Sequence, residues 1–170
     1  MQTVKDEVLA RLRQMGIAFD LFEHAPVATM EDCRPAEAAL GGEMPKNLFL
    51  TPRNHCAHYL VIARAEAPFR TGSVSRQLGA SRLSFASPEE LEALMRTRPG
   101  AISPMGLLFD DGRSVRLGID RALRDRPRLL FHPCVNTATL ALSGADFFER
   151  FLPALGYAPT FVDMEGEEKA

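Results

Sequence analysis

Apolar positions recur along this chain with two periods, near 3.6 and near 2, and their order predicts a mixed α/β domain. Val4, Val8, Leu9, Leu12 and Met15 fall at helical spacing over residues 3–15. Thr3, with Asp6 three residues on, is a start signal, and Gly16 is a stop. Residues 18–24 alternate through Phe19 and Leu21 and read as a strand, broken by Ala25-Pro26. A second helix is expected from Thr29 to Leu40, with Asp32 at the reciprocal capping position and Pro35 limiting its first turns. Leu48-Phe49-Leu50 and residues 58–63 read as a hairpin around Thr51-Pro52-Arg53-Asn54.

Further on, residues 73–78 predict a short helix ending at Gly79, and 83–86 a short strand. Ser87 caps a helix with Pro88 in first position and Glu89 and Glu90 in its first turn. Residues 106–109 and 114–117 flank Asp110-Asp111-Gly112-Arg113, which predicts a second hairpin. A short helix over 119–124, strands over 129–132 and 137–142, and a helix over 145–155 beginning at Ser143 or Gly144 complete the pattern. The polar stretch after Phe161 predicts a frayed tail. The expected fold class is α/β of the α+β type, a mixed, largely antiparallel, curved sheet flanked by helices. One domain is expected over residues 1–160, with a polar C-terminal tail over 161–170. The hairpins argue against a doubly wound parallel sheet.

Composition narrows the chemistry. At 170 residues and 46% hydrophobic content the chain can bury one real core. A net charge of -2 gives no global attraction to nucleic acid, so any such contact must be local. Cys33, Cys56 and Cys134 are scattered and include no C-x-x-C pair, which supports neither a zinc knuckle nor a redox dithiol and suits a reducing cytoplasm. No apolar run approaches the ~20 residues of a membrane span, and the polar, acidic N-terminus is wrong for a signal peptide. The expectation is a cytoplasmic protein with no membrane, DNA, metal or cofactor role.

Serine-elbow, Walker A, dinucleotide-binding and H-E-x-x-H signatures are all missing. His55-Cys56-Ala57-His58 offers too few ligands for a metal, and Cys134 reads as an inert packed thiol. Three other segments stand out. Lys46 and Asn47 lie where a glycine-rich turn, residues 41–45, meets an apolar strand, so that a flexible connection can aim a cation into a cleft. Gly100-Ala101-Ile102-Ser103-Pro104-Met105-Gly106 can present successive backbone amides to an oxyanion. Phe131-His132-Pro133-Cys134-Val135-Asn136-Thr137 places a histidine and an asparagine beside a strand end. Each has an ordinary reading: a solvated edge lysine, a plain connection, a satisfied core histidine. Together they suggest one composite site.

Pro45-Lys46-Asn47-Leu48-Phe49-Leu50, Gly100-x-x-x-Pro104 and His132-Pro133-x-x-Asn136-Thr137 resemble the three signature segments of the YbaK/ProX superfamily, aminoacyl-tRNA deacylases that edit in trans and are related to the insertion editing domain of bacterial prolyl-tRNA synthetase. His24-Ala25-Pro26-Val27-x-Thr29 and Leu83-Ser84-Phe85-Ala86-Ser87 are similar as well, and the last signature segment most resembles the ProX-type (PrdX, ProXp-ala) branch. The resemblance implies hydrolysis of alanyl-tRNA(Pro), with deacylation of Cys-, Ser- or Thr-tRNA and a non-catalytic tRNA- or nucleotide-binding module as alternatives. It implies Lys46 as the anchor and amides of Gly100 and Ala101 as polarising groups. It implies Asn47, Ile102, Ser103, Pro104, His132 and Asn136 as substrate-binding residues. Arg53, Arg76 and Arg82 are candidate acceptor-stem contacts. Prolyl-tRNA synthetase and elongation factor are candidate partners besides the tRNA. Ala101 stands where relatives often have Ser, and Met105 where Phe is common, which bears on amino-acid preference.

Overall fold

A computed structural model describes residues 2–165. Helix α1 (Val4–Gln14) starts where Thr3 and Asp6 exchange side-chain and backbone hydrogen bonds, and it buries Val8, Leu9 and Leu12. The strands are β1 (Asp20–Glu23), β2 (Lys46–Pro52), β3 (His58–Ala63), β4 (Leu83–Phe85), β5 (Val115–Asp120), β6 (Arg128–Phe131), β7 (Ala138–Ser143) and β8 (Thr160–Val162). They form two sheets rather than the single sheet expected. One is antiparallel, in the order β1-β7-β6; the other is mixed, in the order β4-β2-β3-β5-β8. Leu129, Phe131, Leu140 and Leu142 of the first sheet share a core with Phe49, Leu60, Ile62, Leu117 and Ile119 of the second. The apolar alternation along each strand is thus spent on the space between the sheets.

The hairpin of β2 and β3 forms as expected, with Lys46 opposite Ala63. Its tip is clipped to the helix α4 (Pro88–Met95; α2 is Arg34–Leu40 and α3 Thr71–Gln77). His55 Nδ1 and His58 Nε2 each lie 2.8 Å from the same Glu90 oxygen. Glu90 also closes the capping box with Ser87. The Ser87 amide first, then the two rings, draw the Glu90 carboxyl down to about 2.

The second hairpin does not form. Pro104–Phe109 is a 3₁₀ turn, and β5 pairs in parallel with β3. Ser103 Oγ accepts from the Met105 amide, and Pro104 pre-sets the first turn. Residues 104–108 are all buried, so this run is apolar because it is enclosed, not because it pairs. Asp110 then fixes the turn into β5 by accepting from Ser114, Val115 and the Tyr157 hydroxyl. Burial pushes its carboxyl up, but those bonds outweigh it and hold the pKa below the ordinary range.

Three further elements differ from expectation. Residues 119 and 120 finish β5, and the helical turn is Arg121–Asp125. The second helix is a 3₁₀ turn, Glu31–Cys33, followed by α2, although the reciprocal Thr29–Asp32 bonds are both made. The last helix is α5 (Gly144–Asp146), a π-helical turn over Phe147–Phe151, and α6 (Leu152–Leu155). Pro153 has no N–H for a regular i→i−4 bond, and the wider turn sits just before it. Order also continues past Phe161: β8 pairs with β5, and Val162 and Met164 are buried. Residues 166–170 of the expected tail lie outside the described residues.

Candidate active site

The start of β2, the segment after β1, the Gly100 loop and the end of β6 converge on a cleft of about 170 Å³. Lys46 and Asn47 line it from β2, Gly100 and Ile102 from the loop, and His132 from the end of β6. Val27, Ala28, Thr29, Met30 and Cys33 supply another wall, with Met44 and Pro45 beside Lys46. The turn before Lys46 is not slack. The Glu43 amide donates to Arg128 O, the Leu130 amide donates to Glu43 O, and the Met44 amide donates to Glu37. Lys46 therefore projects from a backbone anchored to β6 and α2.

Lys46 is half-buried, and its Nζ donates to the Ala67 carbonyl at 2.6 Å. An ammonium has three donors, so this bond aims the head and leaves others for a ligand. Asn47 Oδ1 is buried and without a hydrogen-bond partner among the described residues. An unmatched acceptor of this kind costs about 1–3 kcal/mol, which a bound donor would recover. His132 is buried, and its Nδ1 lies 2.9 Å from Ala138 O. A carbonyl only accepts, so Nδ1 carries the proton. Burial, above all, lowers the pKa of this ring, which keeps it neutral with a lone pair on Nε2. The His24 ring stands edge-on to it, centroids 6.3 Å apart, held by Ala25 O and Thr139 Oγ1.

Several candidate residues lie elsewhere. Ala101 and Asn136 line a neighbouring cavity with Cys134 and Arg96. The Ala101 amide donates to Arg98 O, so it is not available to an oxyanion in this conformation. Gly100 and Ile102 make no such bond among the described residues, and both face the cleft. Gly100 holds φ +93, a left-handed conformation costly to other residues. Asn136 acts one step back: its Nδ2 donates to Val27 O, and the Val27 amide donates to Asn136 O. Ser103 caps the 3₁₀ turn and Pro104 opens it, both buried, and Met105 packs in the core. The two departures at Ala101 and Met105 therefore act on the backing of the loop, not on the cleft wall.

The neighbouring cavity is larger, about 500 Å³, yet holds no activated nucleophile. Burial pushes the Cys134 thiol up to about 12, and Arg96 is paired with Glu7 at 2.8 Å. Cys56 is the exposed thiol and Cys33 is buried. Brief treatment with iodoacetamide is accordingly expected to modify Cys56 and spare Cys33 and Cys134. Peptide mass mapping checks this, and modification of Cys134 as fast as that of Cys56 would refute it.

Arg53, Arg76 and Arg82 are exposed but not at the cleft. Arg53 follows the far end of β2, roughly 20 Å from Lys46 at strand rise. Arg82 is beside it, because Leu83 pairs with Pro52. The Leu83 amide donates to Ser75 Oγ, which ties α3 and Arg76 to the same end. The wall at Val27–Cys33 went unassigned in the site expected from sequence. Its signal was the His24-Ala25-Pro26-Val27-x-Thr29 segment, because Asp32 gathers the Ala28 and Thr29 amides and shapes this stretch.

The family model for the aminoacyl-tRNA editing domain matches residues 24–149. The prolyl-tRNA editing protein ProX of Acetoanaerobium sticklandii is 34% identical over 152 residues, covering 89% of this chain and 92% of its own. Prolyl-tRNA synthetase associated domain-containing protein 1 of Danio rerio is 32% identical, covering 95% and 88%. A solved structure described as a candidate trans-editing enzyme for prolyl-tRNA synthetase superposes with a TM-score of 0.73 at 18% identity, covering 96% of this chain and 98% of that one, which shows a shared fold. No helix of the described residues is long and apolar enough to cross a membrane. A match spanning every wall of the cleft, from His24 to beyond His132, means that the chain belongs to the aminoacyl-tRNA editing domain family.

Proposed function

We propose that this deacylase edits mischarged tRNA(Pro) in trans, with alanine as the favoured aminoacyl group. The observation that carries the reading is a small cleft joining the Lys46 ammonium to the buried, unpartnered Asn47 oxygen. Pockets for drug-sized ligands run from about 300 Å³ upward, so this one suits an aminoacyl group better than a whole nucleotide. The α-ammonium of the aminoacyl ester is the donor that Asn47 lacks. Lys46 holds the ester end or the terminal phosphate.

Water attacks the ester carbonyl carbon, the carbonyl oxygen takes up negative charge, and the ribose 3′ oxygen leaves with a proton. The Gly100 and Ile102 amides, rather than that of Ala101, stabilise the charge. An aminoacyl ester is already activated, so positioning and polarisation suffice without a serine or a metal. His132 forms a neutral, rigid wall, and Asn136 positions Val27 behind the substrate. The proline ring carries two more carbons than alanine, and a closed wall can exclude it. A synthetase pocket cannot make the reverse choice well, since one methylene is worth only about 1–3 kcal/mol. Arg53, Arg76 and Arg82, exposed near the far end of β2, are the acceptor-stem contacts of this reading. The substrate places the enzyme in the cytoplasm, acting free or beside prolyl-tRNA synthetase or elongation factor.

The test is a deacylation time course on Ala-, Cys-, Ser-, Thr- and Pro-tRNA(Pro) at equal concentration. Selective loss of the alanyl ester with the prolyl ester spared is the expected result. Preference for another ester would overturn the assignment of alanine. No hydrolysis of any would overturn the tRNA(Pro) reading.

A further inference from the structure

Two large apolar side chains are exposed among the described residues, Met30 at 38% and Phe85 at 66%. Met30 lines the cleft; Phe85 does not. Phe85 ends β4, a three-residue strand at the edge of its sheet. It stands directly opposite Leu50. Residues opposite one another in an antiparallel pair share a face, as do positions two apart on one strand. Phe85 is therefore on the face that also carries Leu50, Leu48 and Lys46, at its uncovered margin, because Leu50 itself is buried beneath Ala67 and Val74. Four residues along β2 and one strand across put it about 14 Å from Lys46. Two exposed cations stand at the adjoining end of the β2–β4 pair. Arg82 precedes Leu83, the partner of Pro52, and Arg53 follows Pro52. Neither has a hydrogen bond or ion pair among the described residues.

An exposed ring beside two unpaired guanidinium groups matches bases and phosphates better than an apolar protein surface, because stacking and charge are then both answered. We propose that Phe85 is a stacking platform for an unpaired base at the 3′ end of the tRNA, engaged while the terminal aminoacyl group occupies the cleft. This rests on the functional reading above and adds a residue to it. Stacked nucleotides rise about 3.4 Å each, so 14 Å spans about four, the length of the unpaired 3′ end of a tRNA. Arg53 and Arg82 then meet the backbone where that end joins the duplex.

The experiment is fluorescence anisotropy with a labelled RNA hairpin carrying four unpaired 3′ nucleotides, uncharged, so that binding is read without hydrolysis. Phe85→Ala and Phe85→Leu are expected to raise the Kd at least about fivefold, and Phe85→Trp to keep it. A blunt hairpin is expected to bind all four proteins alike. Melting temperatures are expected to stay level, since the ring is mostly in solvent. Unchanged affinity in Phe85→Ala overturns the proposal, as does full affinity in Phe85→Leu, which would mark a general apolar contact. Loss of a dimer on sedimentation, with RNA affinity intact, would assign the patch to a second copy of this chain. Failure of the deacylation panel would leave this binding result standing, so the two readings fail separately.

Discussion

Lys46→Ala is expected to slow single-turnover hydrolysis of alanyl-tRNA(Pro) about 100- to 1,000-fold, the usual cost of removing one preorganised polar contact that positions the reacting ester. The geometry supports a loss in rate more than in affinity. Lys46 is held by Ala67 O at 2.6 Å and by a backbone tied to β6 and α2, so its head is placed before substrate arrives. The stability cost is small by comparison, about 1 kcal/mol for one hydrogen bond. Lys46→Arg is not a rescue: its planar fork cannot sit on Ala67 O as the ammonium does, and only partial recovery is expected. Turnover of Lys46→Ala within a few-fold of the parent, at unchanged melting temperature, would remove Lys46 from the mechanism.

How far the fold could be read from sequence depended on whether local chemistry alone decided each element. The capping boxes at Thr3–Asp6 and Ser87–Glu90 and the strands β2, β3, β6 and β7 follow from short-range rules, and all form. The partner of β5 could not be read that way. Asp110-Asp111-Gly112-Arg113 is a sound turn signal, but the run before it is enclosed on all sides and turns as a 3₁₀ segment, leaving β5 to pair with β3. Burial on every face removes the alternation that distinguishes a strand. The site shows the same division. Lys46, Asn47, Gly100, Ile102 and His132 reach one cleft from three separate connections. Which of Gly100, Ala101 and Ile102 keeps a free amide depends on the Arg98 carbonyl, which no pattern in the sequence specifies. The place of Asn136 behind Val27 likewise depends on two segments more than a hundred residues apart.

Gly106 shows most directly how packing beneath the site reaches its chemistry. In the sequence it closes the segment that Gly100 opens. Only Gly100 has a left-handed φ; Gly106 has instead no room for a side chain. A Cβ there would lie 2.7 Å from Met95 Cβ, 2.8 Å from Met95 Cε and 2.8 Å from Met95 O. The methyl end can swing aside, but the Cβ and carbonyl belong to the last turn of α4 and cannot. Gly106→Ala must therefore push the 3₁₀ turn off α4, or displace α4 from the core. Overpacking of this kind costs about 1–3 kcal/mol, which for a chain of this size lowers the melting temperature by roughly 3–10 °C. The same displacement pulls on Ser103 and Pro104, and through them on Ile102 and Gly100, which line the cleft. Deacylation by Gly106→Ala, assayed well below its own melting temperature, is therefore expected to fall as well, chiefly in kcat. Scanning calorimetry and single-turnover kinetics on the same preparation read both effects. A variant as stable as the parent would show that α4 yields, and a destabilised variant with full activity would show that the loop amides are not coupled to the turn beneath them.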